Sequence, residues 1–299
     1  METLRICGLE KSFGDKQVLR GLNLSVQSGS IFGFVGQNGS GKTTTMKSIL
    51  GLLKSDGGEI YVAGERVTYG QTATNRYVGY LPDVPAFYPF MTAKEYLCLC
   101  GESMGMRRSE IDARSRELLS LVGLDAEKHR IKGYSRGMKQ RLGIASALLG
   151  HPKLLICDEP TSALDPIGRK EILDILTSVR EQTTVLFSTH ILSDVERICT
   201  DVALLNDGVI AMQGTVEELK ARRRGEAFVV EVADADDILR IQSAFQDAKL
   251  TDANTLTFFG GDDEQFALLA FLSQNRIPVL SASRTEASLE SLFVEVVSK

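Results

Sequence analysis

The hydrophobic pattern of the first two thirds of the chain consists of short apolar runs separated by longer stretches with helical spacing. Continuous apolar runs of this length are typical of buried strands, and they cover residues 31–35, 77–81, 154–156 and 184–187. A hairpin of residues 202–206 and 209–213 follows, with its turn at Asp207 and Gly208. Strands that alternate with long helices predict an α/β fold.

After about residue 220 the pattern changes, which predicts a second domain because 299 residues exceed the usual size of one. The strands predicted there are residues 227–232, 255–259 and 279–283, and the helices are 236–246, 263–275 and 289–297. We therefore expect a first domain over residues 1–220, a linker over 221–226 and a small α+β domain over 227–299. Within the first domain, residues 84–150 are largely helical and form a subdomain.

A glycine-rich loop follows the first of these strands and precedes a predicted helix over residues 41–52. Its sequence, Gly36-Gln37-Asn38-Gly39-Ser40-Gly41-Lys42-Thr43, fits the phosphate-binding pattern G-x-x-x-x-G-K-[ST]. Glycines let the main chain curl tightly enough to direct N–H groups at a polyphosphate, and the helix N-terminus adds its positive dipole end. A chance match in a glycine-rich turn is the alternative, which the flanking strand and helix disfavour.

The loop therefore predicts binding of a nucleoside triphosphate. Lys42 is expected to reach the β- and γ-phosphates, and the Thr43 hydroxyl is expected to reach Mg²⁺. The predicted nucleotide-binding set of the loop is Gly36, Asn38, Gly39, Ser40, Gly41, Lys42, Thr43 and Thr44.

Two acids end the strand that begins at Leu154. Asp158 is predicted to hold the metal, and Glu159, which points the other way from the strand end, is predicted to polarise the attacking water. The alternative is that the two acids only solvate the strand end. The phosphate loop favours the catalytic interpretation.

Several further motifs, in order along the chain, resemble those of ATP-binding cassette (ABC) ATPases. Residues 134–141, Tyr-Ser-Arg-Gly-Met-Lys-Gln-Arg, are similar to the signature motif, and residues 162–165, Ser-Ala-Leu-Asp, are similar to the D-loop. Ser188-Thr189-His190 resembles the switch histidine, and Phe13 stands where the family has an adenine-stacking aromatic. The resemblance covers roughly residues 3–220. It implies a P-loop NTPase core of ABC type, with a helical subdomain, that binds ATP and Mg²⁺ and hydrolyses ATP.

The signature segment also has a physical interpretation of its own. Ser135 and Gly137 begin a predicted helix that runs through Leu149, and its N-terminal amides form a second anion site. A second anion site without a second phosphate loop predicts that two chains meet head to tail around the nucleotide. Alternatively Ser135 is simply an N-cap, and both roles are compatible.

The resemblance assigns further roles to single residues. It places Ser135, Gly137 and Asp165 at the nucleotide, and it makes Lys42, Glu159 and His190 the catalytic set. A lone histidine at a strand end is more often structural, but its position after a sheet strand favours function for His190.

The sequence departs from the family pattern in two places. Pro82-Asp83 stands where a glutamine usually follows the strand, and Asp83 is expected to reach Mg²⁺ through water. Arg136 and Met138 replace the commonest glycine and glutamine of the signature. These variants resemble a bacterial subclass of ATPase subunits that drive two-component exporters of drugs, peptide antibiotics, ions or polymers.

Composition excludes some alternatives. With 34 basic and 39 acidic residues the net charge is −5, which disfavours nucleic acid as a partner. No run approaches the roughly 18 to 20 apolar residues of a membrane span. We expect a cytoplasmic protein, peripheral on the inner face of the cell membrane. The five cysteines are predicted to be reduced residues of the core.

The predicted function is that of an ATP-hydrolysing subunit whose dimer closure powers a separately encoded exporter. The expected partners are an integral membrane permease and a second ATPase subunit, and the sequence leaves open whether that subunit is a copy of this chain. Phe87, Tyr88 and Phe90 either form part of the permease socket or pack the subdomain. The alternatives are a soluble ABC ATPase without a transport role and a non-hydrolysing regulatory subunit.

Overall fold

The computed structural model describes residues 2–71, 73–221, 227–245, 248–259, 261–284, 289–290 and 292–293. The chain divides into two compact units, residues Met1–Val216 and Glu217–Lys299. The predicted linker, residues 221–226, lies outside the described residues except for Ala221.

A six-stranded sheet forms the centre of the first unit. Its strands, in spatial order, are β10 (Val209–Thr215), β9 (Asp201–Asn206), β3 (Ile31–Gly36), β8 (Thr184–Thr189), β7 (Leu154–Asp158) and β6 (Val78–Leu81). All neighbours are parallel except the β9–β10 hairpin. The strands β3, β7 and β8 are buried along their whole length, as their unbroken apolar sequences predict. Their carboxyl ends meet at one edge, where open α/β sheets bind ligands.

A second, antiparallel sheet in this unit was missed by the sequence analysis. Its strands, in spatial order, are β2 (Lys16–Gln27), β1 (Glu2–Phe13), β4 (Gly57–Val62) and β5 (Glu65–Arg66). Four register shifts interrupt the β1–β2 pairing, and they break the alternation by which a half-buried strand is recognised. One hydrophobic core contains side chains from both sheets and from helix α1 (Lys42–Ile49).

Helices dominate the middle of the first unit, as predicted for residues 84–150. They are α2 (Ala93–Ser103), α3 (Arg108–Leu121) and α4 (Arg136–Leu148). Thr92 caps α2 in a reciprocal capping box with Glu95. Helix α4 lies against β6 so closely that a Cβ on Gly79 would stand 2.1 Å from the carbonyl oxygen of Ala147. This contact sets how closely the last turn of α4 approaches the sheet.

The remaining helices of the first unit flank the sheet strands. They are α5 (Pro166–Ser178), between β7 and β8, and α6 (Leu192–Ile198), which follows β8. The cysteine prediction holds for Cys157, which is buried in β7, and is wrong for Cys7, which is exposed. Successive residues of a strand face opposite sides, and Cys7 lies on the outer side of β1.

The second unit begins at Glu217, within helix α7 (Val216–Ala221), and is an α+β fold. Its sheet has the order β12 (Lys249–Asp252), β13 (Thr255–Phe259), β11 (Ala227–Val232), β14 (Val279–Arg284), with helices α8 (Ala235–Ala244) and α9 (Asp262–Gln274). The sequence missed β12. Of the predicted helix 289–297, residues 289, 290, 292 and 293 are described and are helical. Among the described residues, none of the helices combines the length and the apolar character that crossing a bilayer requires.

Candidate active site

The turn from β3 into α1 forms the predicted phosphate loop. Gly39 and Gly41 have φ angles of 85° and 114°, which favour glycine. A Cβ on Gly36 would stand 2.5 Å from Ser40 Oγ and 2.7 Å from the carbonyl oxygen of Leu205. The backbone conformation therefore requires glycine at 39 and 41, and close packing requires it at 36.

Helix α1 is shorter than predicted. It begins at Lys42 and ends at Ile49, whereas the sequence suggested residues 41–52. Gly51 adopts a φ of 67°, a left-handed conformation that ends helices. The N-terminus of α1 still faces the loop, and its first turn contains no acidic residue.

The ammonium group of Lys42 is almost fully engaged by its own chain. Its Nζ donates to the carbonyl oxygens of Gly36 at 2.7 Å and Gln37 at 3.2 Å. It lies 3.3 Å from Oε1 of Glu159, and the side chain is only 6% exposed. An ammonium has three donors, so these contacts hold Lys42 over the mouth of the loop.

Asp158 lies at the end of β7 between two hydroxyl groups. Thr43 Oγ1 donates to its Oδ2 at 2.8 Å, and Ser188 Oγ donates to its Oδ1 at 2.6 Å. The structure therefore brings together two of the three predicted metal ligands, Thr43 and Asp158. Carboxylate and hydroxyl oxygens are the hard donors that Mg²⁺ prefers. Burial, together with the nearby Asp158 charge, raises the pKa of Tyr80 to about 12, so Tyr80 stays neutral.

Glu159 lies between the other two residues of the predicted catalytic set. His190 Nδ1 is 2.9 Å from its Oε2, and Lys42 contacts its Oε1. The backbone of Glu159 is left-handed, with φ of 49°, and its N–H donates to the carbonyl and to Oγ of Ser188. A left-handed backbone costs a residue with a side chain about 1–3 kcal/mol and is common at active sites.

These residues border a cavity of about 380 Å³. Its lining is Val18, Asn38, Gly39, Gly41, Lys42, Thr43, Thr44, Asp83, Asp158 and Glu159. Ser40 lines the adjoining cavity, together with Gln37, Lys16 and Arg20. Most of the predicted loop set thus lines one cavity with both acids.

Other predicted residues lie outside that lining. Ser135 caps α4 by accepting from the N–H of Met138 at 3.2 Å, and Asp165 caps α5 by accepting from the N–H of Gly168 at 3.1 Å. The described residues that line the cavity do not include Ser135, Gly137 or Asp165. Within a single chain, Ser135 and Asp165 therefore act as helix caps.

Phe13 also lies outside both linings. Its ring is half exposed, and the Lys11 ammonium lies 5.3 Å from the ring centroid. Lys11 Nζ donates to Asp56 Oδ1 at 2.9 Å, which holds the ammonium beside the ring. This bond and the one from the Ser12 amide lower the pKa of Asp56.

Two supporting residues were not predicted. The buried Gln140 donates through Nε2 to the carbonyl oxygens of Asp83 and Pro160, which ties α4 to the loops after β6 and β7. The buried Asp194 accepts from Thr161 Oγ1 at 2.7 Å and from Arg169 Nε at 2.5 Å. For Gln140 the available signal was a polar residue on the inner face of a predicted helix; for Asp194 no helix had been predicted.

Comparison with known proteins identifies relatives over nearly the whole chain. Residues 19–162 match a family model described as ABC transporter, and residues 214–297 match one described as ATP-binding protein DrrA1-3-like, C-terminal domain. The bacitracin transport ATP-binding protein BcrA of Bacillus licheniformis is 34% identical over 98% of this chain and 97% of its own length.

A second relative and a solved structure give the same result. The linearmycin resistance ATP-binding protein LnrL of Bacillus subtilis (strain 168) is 30% identical over 97% of both chains. A solved ATP-binding subunit of an ABC transporter is 31% identical, with a TM-score of 0.66 over 74% of this chain and 92% of that one.

Proposed function

Because this chain belongs to the ATP-binding proteins of the ABC transporter family and is an ATPase of that type, we propose that it powers a separately encoded membrane exporter. The observation that carries the catalytic part is the contact series from Lys42 through Glu159 to His190 beside the ATP cavity. The relatives named for bacitracin transport and linearmycin resistance support export of a drug-type or antibiotic-type cargo.

Mg²⁺ is the metal that we propose for this site. Thr43 Oγ1 and the Asp158 carboxylate would hold it, since both present hard oxygens at the cavity wall. The metal would neutralise negative charge on the phosphates. Ser188 keeps the Asp158 carboxylate in its orientation by donating to the second oxygen.

We assign proton acceptance to Glu159. Its carboxylate borders the cavity and can take a proton from a water that attacks the terminal phosphate. His190 positions that carboxylate through Nδ1. Nδ1 donates to the Glu159 carboxylate, so the other ring nitrogen can donate to a phosphate oxygen only when the imidazole carries a proton on both nitrogens. Lys42 supplies fixed positive charge on the opposite side of Glu159.

Closure of two chains around ATP would complete the site. The amides at the start of α4, with Ser135 and Gly137, would meet the γ-phosphate held by the phosphate loop of a second ATPase subunit. Phe13 would stack on adenine, and Asp165 would line the junction. ATP can favour the closed dimer only by binding it more tightly than the open chains.

The test is the substitution Glu159→Gln, which keeps the shape of the side chain and removes its basicity. We expect ATP binding to be retained, turnover to fall about 10²- to 10⁴-fold, and dimers to accumulate with ATP. Phosphate release and sedimentation velocity measure these effects. The matched control is Glu59→Gln, an acid of β4 that pairs with Arg66 and should leave both unchanged. Full activity of Glu159→Gln would remove Glu159 as the base.

The partner that we propose is an integral membrane permease, which would hold the chain at the inner face of the cell membrane. Val84, Tyr88 and Phe90, on the segment between β6 and α2, are 71%, 51% and 59% exposed. The rings of Tyr88 and Phe90 lie 5.8 Å apart, so they form one apolar surface. Phe87 instead packs edge-on against Tyr96 and supports the subdomain.

A further inference from the structure

Two of the residues at which the sequence departs from the family pattern, Asp83 and Arg136, contact each other. Asp83 Oδ1 accepts from Ser162 Oγ at 2.6 Å, and a nitrogen of the Arg136 guanidinium lies 3.6 Å from the same oxygen. That nitrogen also donates to Ser162 Oγ at 3.3 Å. The three residues come from the loop after β6, the start of α4 and the loop after β7.

Each charge of this pair is unfavourable where it stands alone. Asp83 borders the ATP cavity together with Asp158 and Glu159, so it adds a third negative charge where a triphosphate is bound. Arg136 is the first residue of α4, where the positive end of the helix dipole disfavours a cation. As a pair the two side chains relieve both penalties.

We propose that Arg136 is a positioning residue that neutralises Asp83 and holds its carboxylate toward Ser162, so that the cavity wall does not repel the triphosphate. This inference rests on the assignment of ATP to the cavity that Lys42 and Thr43 border. Because all three contacts are within one chain, their effect on ATP affinity can be measured on the monomer, separately from dimer closure.

The size of the effect follows from the exposure of the pair. Both side chains are about half exposed, and ion pairs of this kind change an equilibrium by about two- to fivefold. Salt screens exposed charges, so the effect must shrink as ionic strength rises.

The experiment is a double-mutant cycle on the full chain with Arg136→Gln, Asp83→Asn and the double variant. The probe is Mg²⁺ with a non-hydrolysable ATP analogue, and its dissociation constant is measured at low and high salt. Protein concentrations stay in the range where sedimentation shows a monomer. Arg76→Gln, an exposed arginine that pairs with Glu65, is the matched control and should bind as the wild type does.

We expect Arg136→Gln to weaken binding about two- to fivefold at low salt, and the double variant to return within twofold of the wild type. Asp83→Asn alone should bind as tightly as the wild type or more tightly. The proposal is overturned if the double variant is as weak as Arg136→Gln, if Arg136→Gln has no effect, or if Asp83→Asn weakens binding.

A separate variant distinguishes this inference from the assignment of the site. Lys42→Ala should weaken binding of the analogue in every background. If Lys42→Ala bound as tightly as the wild type, the assignment of ATP to this cavity would fail. If Lys42→Ala loses binding and the double variant is not restored, only the role of Arg136 fails.

Discussion

At the scale of single residues, the buried hydroxyl of Ser188 connects the two acids of the site. It donates to Asp158 Oδ1 and accepts from the N–H of Glu159, and the residue has no exposed surface. One hydroxyl therefore forms hydrogen bonds both with a carboxylate and with the N–H of a residue whose backbone is left-handed. Buried polar groups that lose their partner retain the full cost of desolvation.

Replacing Ser188 by alanine tests this role. We expect the free energy of unfolding to fall by about 1–3 kcal/mol, because Asp158 Oδ1 and the Glu159 amide each lose a partner. Urea unfolding followed by circular dichroism measures the change, since the chain has no tryptophan. The control is Ser48→Ala, also buried, whose Oγ bonds only a carbonyl of its own helix. Equal stability of the two variants would contradict the role of Ser188.

Candidate residues that depend on local sequence could be singled out, and contacts between distant segments could not. The glycines of the phosphate loop, Lys42, Asp158 and Glu159 were singled out because the predicted chemistry requires fixed spacing. Ser162 and Asp83 are 79 positions apart, and only the parallel order of β6 and β7 brings their loops together. The sequence showed both residues but gave no signal that they touch.

At the scale of elements, the contact between β6 and α4 determines where the signature segment stands. Gly79 of β6 faces the backbone of α4, and Gly143 of α4 faces Leu81, whose Cδ1 would lie 2.4 Å from an added Cβ. Two glycines therefore permit a strand and a helix to approach more closely than side chains allow. The spacing of Asp83 from Arg136 depends on this approach.

The substitution Gly79→Ala tests the close approach. The new methyl group would overlap the carbonyl of Ala147, which is backbone and cannot turn aside, so we expect a loss of about 1–3 kcal/mol of stability. Urea midpoints from circular dichroism provide the measurement. Gly133→Ala is the control, because an added Cβ there meets nothing within 4 Å. A stable Gly79→Ala variant would mean that α4 can shift away from the sheet.

Elements with a clear local pattern were predicted from the sequence, and elements without one were missed. Strands β3, β7 and β8 were found because both faces are apolar, and β11 and β13 matched their predicted bounds. The antiparallel sheet of the first unit was missed, since register shifts and glycines disrupt the period of two in β1 and β2. The short strand β12 was missed because all four of its residues are exposed.

At the scale of the whole molecule, the chain presents two units with separate cores. The core of the second unit is formed by its own strands and helices, including Phe228, Ile241, Leu256 and Leu272. The motifs of the ATP site lie in the first unit. The apolar surface of Tyr88 and Phe90 belongs to the first unit as well.

The transport role predicts a specific partner for that surface. Purification of the chain from gently solubilised native membranes should recover a polytopic membrane protein in stoichiometric amount, identified by mass spectrometry. The double variant Tyr88→Ser/Phe90→Ser should lose this protein, because two exposed rings are removed from the contact. Leu52→Ser, at an exposed leucine elsewhere in the unit, is the control and should retain it. Recovery of only soluble proteins or ribosomes would support the soluble alternative.

The contacts of Lys42 have a consequence for inhibitor chemistry. Its Nζ donates to two carbonyl oxygens and forms an ion pair, at 3.3 Å, with the Glu159 carboxylate. A phosphate that binds Lys42 must therefore displace a protein oxygen from the ammonium group, and not only water. Binding of phosphate to the loop and separation of Glu159 from Lys42 consequently favour each other. A compound that fills the cavity while leaving the Lys42–Glu159 pair intact would compete with ATP and keep Glu159 bound to Lys42.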